Sequence, residues 1–361
     1  MDLERLFRAM VEQDASDLFL KVGHRPFLRI GGRLIPVGEE RLTHEQITAV
    51  VSELLEPAQR QRFHAERELT VAVERAGLGR FRLNVLWQQG TMALVIRRIQ
   101  RTIPTFSELG LPGDVLARLL TESYGLILVT GPTGSGKSTT VASMLDHLNH
   151  TAPKHIVTLE DPIEFHFHEE QAMINQREIG VDTRSLSEGL RNVLRQSPDV
   201  LFVSDIRDPE TMESCLIAAE SGQLVLSCIH TTNVVTTVER LVALAPLHQH
   251  ELIRLRLSLI LRGIISLRLL QRQDGGGRLP ACEVLVATPT VREHLREGRT
   301  ERLPAVIHDG ALHGMQTLTQ ALYRRYRQGE VDLAEALRCA DSPDELQLAV
   351  REIHSIGDVQ S

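Results

Sequence analysis

A nine-residue segment, GPTGSGKST at 131–139, has the residue types and spacing that bind a chain of phosphates. It fits G-x-x-x-x-G-K-[ST] and lies between an apolar strand pattern, GLILVT, and a helical pattern, which disfavours an unrelated glycine turn. Glycine backbone turns amide groups toward phosphate oxygens, and the helix N-terminus adds partial positive charge. Lys137 is expected on the β- and γ-phosphates, and Ser138 on magnesium. The predicted nucleotide-binding residues here are Gly131, Thr133, Gly134, Ser135, Gly136, Lys137, Ser138 and Thr139.

Hydrolysis also needs acidic residues that hold the metal and orient the attacking water. In HIVTLEDPIEF an apolar run ends in Glu160 and Asp161, and Glu164 follows. In SPDVLFVSDIRD another apolar run ends in Asp205, followed by Arg207 and Asp208. Acids after strands also cap helices or solvate loops. Two such acids after a phosphate-binding loop favour a catalytic site.

A histidine ends a third apolar run, in SGQLVLSCIHTTN. His230 could sense the γ-phosphate, because imidazole changes its donor properties near neutral pH. The two threonines after it could fix its tautomer. A structural histidine is the competing interpretation.

The elements that would position these residues form two regions. Residues 1–104 alternate helical and β-like patterns, with glycines such as Gly77 and Gly90 at predicted hairpin turns, so a small α+β domain with an antiparallel sheet is expected. Residues 105–115 lack periodicity and are predicted as a linker or hinge. Residues 116–361 alternate strands and helices and then become helical, which predicts an α/β, RecA-like ATPase domain with a mostly parallel sheet and C-terminal helices.

Composition narrows the function classes. The net charge of −7 argues against a nucleic-acid binder, and the four cysteines form no C-x-x-C pair. The longest apolar stretch, 252–270, contains four arginines, so it should be a buried or subunit-facing helix rather than a transmembrane segment. The N-terminus has no signal-sequence pattern. A cytoplasmic protein is expected.

The motifs GPTGSGKSTT, VTLEDPIEFH, NQREIGVDT, DIRDPETM and IHTTN, in this order, resemble the type IV pilus retraction ATPases, the PilT/PilU family of secretion ATPases. ASDLFL near the start and TPTVREHLREGRTERLPAVI and HGMQTLTQAL near the end extend the resemblance over nearly the whole chain. It implies a PAS-like N-terminal domain, a homohexamer, ATP and Mg²⁺ as cofactors, and contact with an inner-membrane pilus platform protein from the cytoplasmic side. A paralogous retraction ATPase is a further implied partner.

The resemblance also assigns roles. Glu160 matches the acidic-box general base, and His230 matches the histidine-box residue. Arg80, Arg82 and Arg97 match arginines that reach toward the nucleotide, although solvated arginines on strands are the alternative. A trans-acting arginine would make hydrolysis depend on ring assembly. The predicted catalytic residues are Glu160, Asp205 and His230, and the predicted metal ligands are Ser138, Asp161 and Asp205.

Two motifs depart from the family pattern. Ser204 and Asp205 replace Gly-Glu, and Gln223 replaces the histidine in Gly-His-Leu. A carboxylate one methylene shorter cannot occupy the same point, and misplacement by about 1 Å costs on the order of a hundredfold in rate. The predicted function is a hexameric motor for pilus retraction. The alternative is an accessory, weakly hydrolysing subunit that partners an active retraction ATPase.

Overall fold

The computed structural model describes residues 2–99 and 102–357. Backbone contacts divide the chain into two compact units, and the division falls between Thr102 and Ile103.

The first unit is an α+β fold around one antiparallel sheet, with the strand order β3-β2-β1-β6-β5-β4. Gly77 and Gly90 adopt positive φ in the hairpins β4–β5 and β5–β6, a backbone conformation that costs glycine little because it lacks a Cβ. Its elements are α1 (Leu3–Glu12), β1 (Asp17–Lys21), β2 (Phe27–Ile30), β3 (Arg33–Pro36), α2 (His44–Leu54), α3 (Pro57–Glu66), β4 (Glu68–Arg75), β5 (Gly79–Gln88) and β6 (Thr91–Ile99).

The second unit is an α/β fold around a seven-stranded sheet, which confirms the predicted fold class. Its first elements are α4 (Phe106–Leu109), α5 (Gly113–Leu120), β7 (Gly125–Thr130), α6 (Lys137–Thr151), β8 (His155–Glu160), β9 (Met173–Glu178), α7 (Leu186–Val193), β10 (Val200–Val203), α8 (Pro209–Glu220), β11 (Leu224–Ile229) and α9 (Val234–Leu244). There follow α10 (His250–Ile260), β12 (Leu261–Gln271), β13 (Arg278–Val286), α11 (Pro289–Glu297), α12 (Leu303–Asp309), α13 (Leu318–Arg327), α14 (Leu333–Cys339) and α15 (Pro343–Gly357).

The sheet of this unit is covered on both faces. Its strand order is β13-β12-β7-β11-β10-β8-β9, and every pair is parallel except β12–β13. All six residues of β7 are buried. Leu126 and Leu128 pack in the cluster that contains α8, α9 and α10 side chains, whereas Ile127 and Val129 pack in the cluster that contains α5 and α6 side chains. Central strands of this kind are continuous apolar runs, and these were the runs that the sequence placed as strands.

The prediction of one helix over 252–270 is wrong, because α10 ends at Ile260 and the rest of the stretch is β12. A continuous apolar run does not distinguish a buried helix from a buried strand. The β-branched pair Ile264 and Ile265 favours the strand. Gly263 lies close to the paired strand β13, because a Cβ at this position would be 3.0 Å from the carbonyl oxygen of Leu285. Within the described part of the chain, every helix is too short or too polar to cross a bilayer.

The segment 105–115 contains more regular structure than a linker suggests. A capping box between Thr105 and Glu108 begins α4, and α5 begins at Gly113. Its role as a hinge stays a prediction.

Candidate functional site

The predicted site residues gather where four neighbouring parallel strands end. The strand order β7-β11-β10-β8 places Gly131, His230, Asp205 and Glu160 at successive strand ends. Adjacent strands are about 4.8 Å apart, so each of these residues is one strand from the next. Ligands of open α/β sheets bind at this carboxyl edge.

The loop between β7 and α6 has the shape that its glycines allow. Gly131, Gly134 and Gly136 have φ values of 147°, 78° and 94°. A Cβ on Gly131 would lie 2.7 Å from the carbonyl oxygen of Leu267, so only glycine fits between the loop and β12. The helix α6 begins at Lys137, directly after this loop. The N-terminal amides of α6 are thereby directed toward the site of a bound anion.

Lys137 is buried and holds the loop closed on itself. Its Nζ donates to the carbonyl oxygens of Gly131 and Pro132, at 2.9 and 3.0 Å, and lies 3.2 Å from Nδ1 of His230. Burial lowers the pKa of the ammonium group, and the charge of Asp205 opposes that effect. An incoming phosphate would therefore replace these neutral acceptors with a charged one.

The contacts of His230 determine its tautomer. Lysine ammonium can only donate, so Nδ1 of His230 must accept from Lys137. The proton of the neutral ring is then on Nε2, which lies 3.0 Å from Oδ2 of Asp205. His230 thus links the phosphate-loop lysine to the carboxylate beyond β10.

The segment after His230 is anchored by side chains from β12 and β13. Ser266 Oγ donates to the Thr232 carbonyl at 3.0 Å, and the Thr231 and Thr237 hydroxyls lie 2.7 Å apart. The Val234 amide, at the start of α9, donates to Oε2 of Glu283 at 2.8 Å. Burial raises the pKa of Glu283 to about 7. These bonds fix the position from which the imidazole extends.

Asp205 is held at both ends of its own backbone. The Ser204 amide donates to Leu159 of β8, and the Ile206 amide donates to Cys228 of β11. The side chain is 7% exposed, and Oδ2 accepts from both Arg207 Nε, at 2.8 Å, and His230.

The other oxygen, Oδ1, is buried and has no hydrogen-bond partner among the described residues. Leaving such an acceptor unsatisfied costs about 1–3 kcal/mol, and more when it is charged. Magnesium prefers oxygen ligands, retains several waters, and uses one or two carboxylates plus substrate phosphates rather than a full protein cage. Among the described residues, no group of three or more Asp, Glu, His or Cys side chains could hold a metal ion. A metal-bound water would satisfy Oδ1.

Glu160 is buried at the end of β8. Burial raises its pKa to about 7, and three hydrogen-bond donors oppose the shift. Its Oε1 accepts from Thr158 Oγ1 at 2.7 Å and from Gln176 Nε2 at 3.1 Å, and the Glu164 amide is the third donor. A carboxylate with a pKa near the working pH suits general-base chemistry.

Two other acids lie near this centre. Asp161 is exposed, and its charge helps to raise the pKa of Arg207, after the larger effect of Asp205. Glu164 is also exposed, and its charge acts on Lys137. Both are therefore close enough to influence the site without being buried in it.

The three predicted arginines lie in the first unit. Arg80 and Arg82 alternate with buried Phe81 and Leu83 along β5, so they occupy the face opposite the core. Arg97 Nε bonds Oδ1 of the buried Asp17 at 2.8 Å. Asp17, Arg97 and Arg82 are successive cross-strand partners. Arg97 thus has a structural role within its own unit.

A cavity of about 490 Å³ is lined in part by the phosphate loop. Its lining joins Pro132–Ser135 to β12 and to the turn between α14 and α15, where Arg268 pairs with Asp341 at 3.0 Å. Oε1 of Glu335, in α14, accepts from the Gln271 amide at 2.7 Å. The C-terminal helices are therefore bonded to the strand beside the loop.

Sequence reasoning gave no role to three residues that build the site. Gln176 lies in NQREIGVDT, which was recognised as a motif but not connected to Glu160. Arg207 was noted as following Asp205, and its spacing of two residues was the available signal. Glu283 comes from the distant β13, and its contact with α9 left no local pattern.

The chain is similar to known proteins over most of its length. The family model described as type II/IV secretion system protein matches residues 2–338. The type IV pilus ATPase PilU of Pseudomonas aeruginosa is 37% identical over 351 residues, covering 97% of this chain and 92% of that protein. The type IV pilus retractation ATPase PilT of the same organism is 38% identical over 344 residues, covering 95% and 99%.

Among solved structures, the crystal structure of the pilus retraction motor PilT with bound ADP has a TM-score of 0.88 and 41% sequence identity, covering 96% of this chain and 99% of that one. Both the sequence likeness and the structural likeness extend over nearly the whole chain. The phosphate loop, the carboxylates beside it and these matches together show that the chain belongs to the type II/IV secretion system protein family.

Proposed function

We propose that this chain is an ATPase subunit that drives type IV pilus retraction, the activity for which its relative PilT is named. The observation that carries the catalytic part is the continuous contact series Lys137–His230–Asp205 at the carboxyl edge of the sheet. It connects the phosphate loop with an acid whose second oxygen is buried and has no hydrogen-bond partner among the described residues. Such a connection suits a site where phosphate binding and water activation are coupled.

The phosphate loop binds the nucleotide through its backbone. Lys137 exchanges its two carbonyl partners for the β- and γ-phosphates, and Ser138, in the first turn of α6, would supply its Oγ as a ligand to Mg²⁺. Backbone amides and hydroxyls of the remaining residues surround the phosphates, namely Gly131, Thr133, Gly134, Ser135, Gly136 and Thr139.

When bound, Mg²⁺ would neutralise charge on the phosphate oxygens during transfer. In this chain Ser138, Asp205 and Asp161 would hold it, with Asp205 using Oδ1. Glu160 orients the attacking water and accepts its proton, because its buried carboxyl group has its pKa near neutrality. His230 acts as the γ-phosphate sensor, since its Nδ1 loses the Lys137 contact when that amine turns to phosphate.

The mechanical part of the proposal is a homohexamer at the inner face of the cell membrane, in the cytoplasm. The N-terminal unit provides the arginines that reach toward the nucleotide, namely Arg80, Arg82 and Arg97. Arg97 does so while it is paired with Asp17. The ring acts on an inner-membrane pilus platform protein, with a paralogous retraction ATPase as a further partner. The support for this part is the likeness to the two pilus ATPases.

Steady-state ATP turnover of the purified hexamer tests the catalytic part. Lys137→Ala should abolish turnover, because the ammonium group is the main side-chain charge on the transferred phosphates. Lys154→Ala is the matched control, since Lys154 directly precedes β8 and uses its backbone in bonds to Ala152 and Met173. Equal turnover in Lys137→Ala and the parent would refute the ATPase proposal.

A further inference from the structure

The carboxylate of Asp205 receives both of its side-chain hydrogen bonds on one oxygen. His230 Nε2 and Arg207 Nε lie 3.0 and 2.8 Å from Oδ2, whereas Oδ1 is buried without a partner among the described residues. A carboxylate with a single donor can swing about its Cβ–Cγ bond. Two donors on Oδ2 restrict the rotation of the group and leave Oδ1 as the oxygen without a donor among the described residues.

The backbone that presents Arg207 is itself fixed. Asp208 caps α8, with its side chain accepting from the Thr211 amide and hydroxyl, both at 2.9 Å. On the other side, the Ile206 amide is bonded to β11. Although the Arg207 side chain is 66% exposed, its Nε reaches a carboxylate that is only 7% exposed.

The two donors differ in what else they contact. His230 shares its ring with Lys137, whose amine must turn to the phosphates when nucleotide binds. The position of His230 is therefore tied to the nucleotide state. The bond from Arg207 involves no residue of the phosphate loop, so it can persist in every state.

We propose that Arg207 is a positioning residue, which holds Oδ2 of Asp205 so that Oδ1 keeps its orientation throughout the cycle and would be available to a metal-bound water. This inference rests on the proposed function. Asp205 is one methylene shorter than the glutamate of the family pattern. The guanidinium of Arg207 fixes the orientation of this shorter carboxylate.

The test compares Arg207→Gln, Arg207→Lys, Asp205→Asn and the double variant Arg207→Gln/Asp205→Asn, with Arg191→Gln on the exposed side of α7 as the matched arginine control. Two readouts are used. One is kcat and KM for ATP. The other is the affinity for a fluorescent ADP analogue, titrated with and without Mg²⁺, which needs no hydrolysis and so still tests the inference if the chain proves not to hydrolyse ATP.

Arg207→Gln should lower kcat and raise the Mg²⁺ concentration for half-maximal enhancement of ADP binding, each by about tenfold or more, as for other residues that support a metal ligand. ADP affinity without metal should stay within about twofold, and Arg207→Lys should recover part of the loss because it retains the cation. The double variant should be no worse than Asp205→Asn, because Arg207 acts through Asp205.

Three results would overturn the inference. The first is kcat and Mg²⁺ dependence in Arg207→Gln that match Arg191→Gln. The second is a loss of metal-free ADP affinity, which would make Arg207 a phosphate contact. The third is an effect of Arg207→Gln that is undiminished in the Asp205→Asn background.

Discussion

The imidazole of His230 donates from Nε2 to Oδ2 of Asp205 across 3.0 Å, joining the residue that follows β11 to the acid beyond β10. The opposite ring nitrogen accepts from Lys137. Because one ring contacts both groups, a movement of the lysine toward phosphate changes the environment of the carboxylate. The site thus has a direct route by which nucleotide occupancy can reach the hydrolytic centre.

Replacement of His230 by alanine should separate binding from turnover. The variant frees Lys137 from one partner that phosphate must displace, so ADP affinity should be unchanged or higher. Turnover should fall by about tenfold or more, since Asp205 loses one of its two positioning bonds. Fluorescence titration and steady-state kinetics of the same preparation measure the two effects. A parallel loss of affinity and turnover would show that His230 is structural.

Glu160→Gln should keep ADP binding and ring assembly but lose hydrolysis. The amide oxygen can still accept from Thr158 and Gln176, whereas the group that takes the proton from water is gone. The drop should be at least about a hundredfold, in line with general-base contributions. Glu164→Gln is the control, because Glu164 lies on the same turn but is exposed. If Glu164→Gln abolishes turnover and Glu160→Gln does not, the two roles must be exchanged.

Asp205→Glu tests whether the departure from the family residue impairs the site. The presence of aspartate instead of glutamate is by itself consistent with two outcomes for the variant: a gain in turnover, or an unchanged or lower turnover. The contacts favour the second, because Oδ2 already meets two donors and an added methylene in a buried, backbone-pinned position causes crowding. Turnover on assembled hexamers at saturating ATP and Mg²⁺ should therefore not exceed that of the parent. A gain of about tenfold, equivalent to about 1.4 kcal/mol, would instead show an impaired native enzyme and favour the accessory role.

Glu283 should give folding stability a pH dependence that glutamine removes. Burial raises its pKa from 4.5 to about 7, so between these values the folded state binds more protons than the unfolded state. Stability from this group is therefore highest below pH 4.5 and declines as pH rises to about 7, by on the order of 3 kcal/mol. Glu283→Gln retains an oxygen for the Val234 amide and should be more stable than the parent at pH 8.

Urea unfolding at several pH values between 5 and 8 measures this difference. The exposed Glu345→Gln is the control and should follow the parent at every pH. A difference between Glu283→Gln and the parent that is constant with pH would contradict the assignment.

Features that depend on a local sequence pattern were predictable, whereas features that depend on contacts between distant segments were not. The ends of β7, β8, β10 and β11 were predictable, because buried parallel strands are continuous apolar runs followed by polar residues. Their meeting at one edge followed from parallel pairing. The strand β9 was missed, since its MINQRE sequence has little apolar character.

Side-chain partners were much less predictable than positions. The bond from Gln176 to Glu160 depends on the pairing of β9 with β8, and the bond from Glu283 to Val234 joins residues 49 apart in sequence. No local pattern encodes such contacts. The change from α10 to β12 within one apolar run was also hidden, because tertiary pairing with β7 decides it.

The position of β7 between β11 and β12 has a consequence for synthesis of the chain. The phosphate-loop sequence is complete at Thr139, but Gly131 is seated against the Leu267 carbonyl of β12, which is made more than a hundred residues later. At typical translation rates that interval is on the order of 10 s. During this time the nascent loop lacks the strand against which Gly131 is seated. We therefore expect the full mass-action stabilisation by nucleotide only after β12 has emerged and paired with β7.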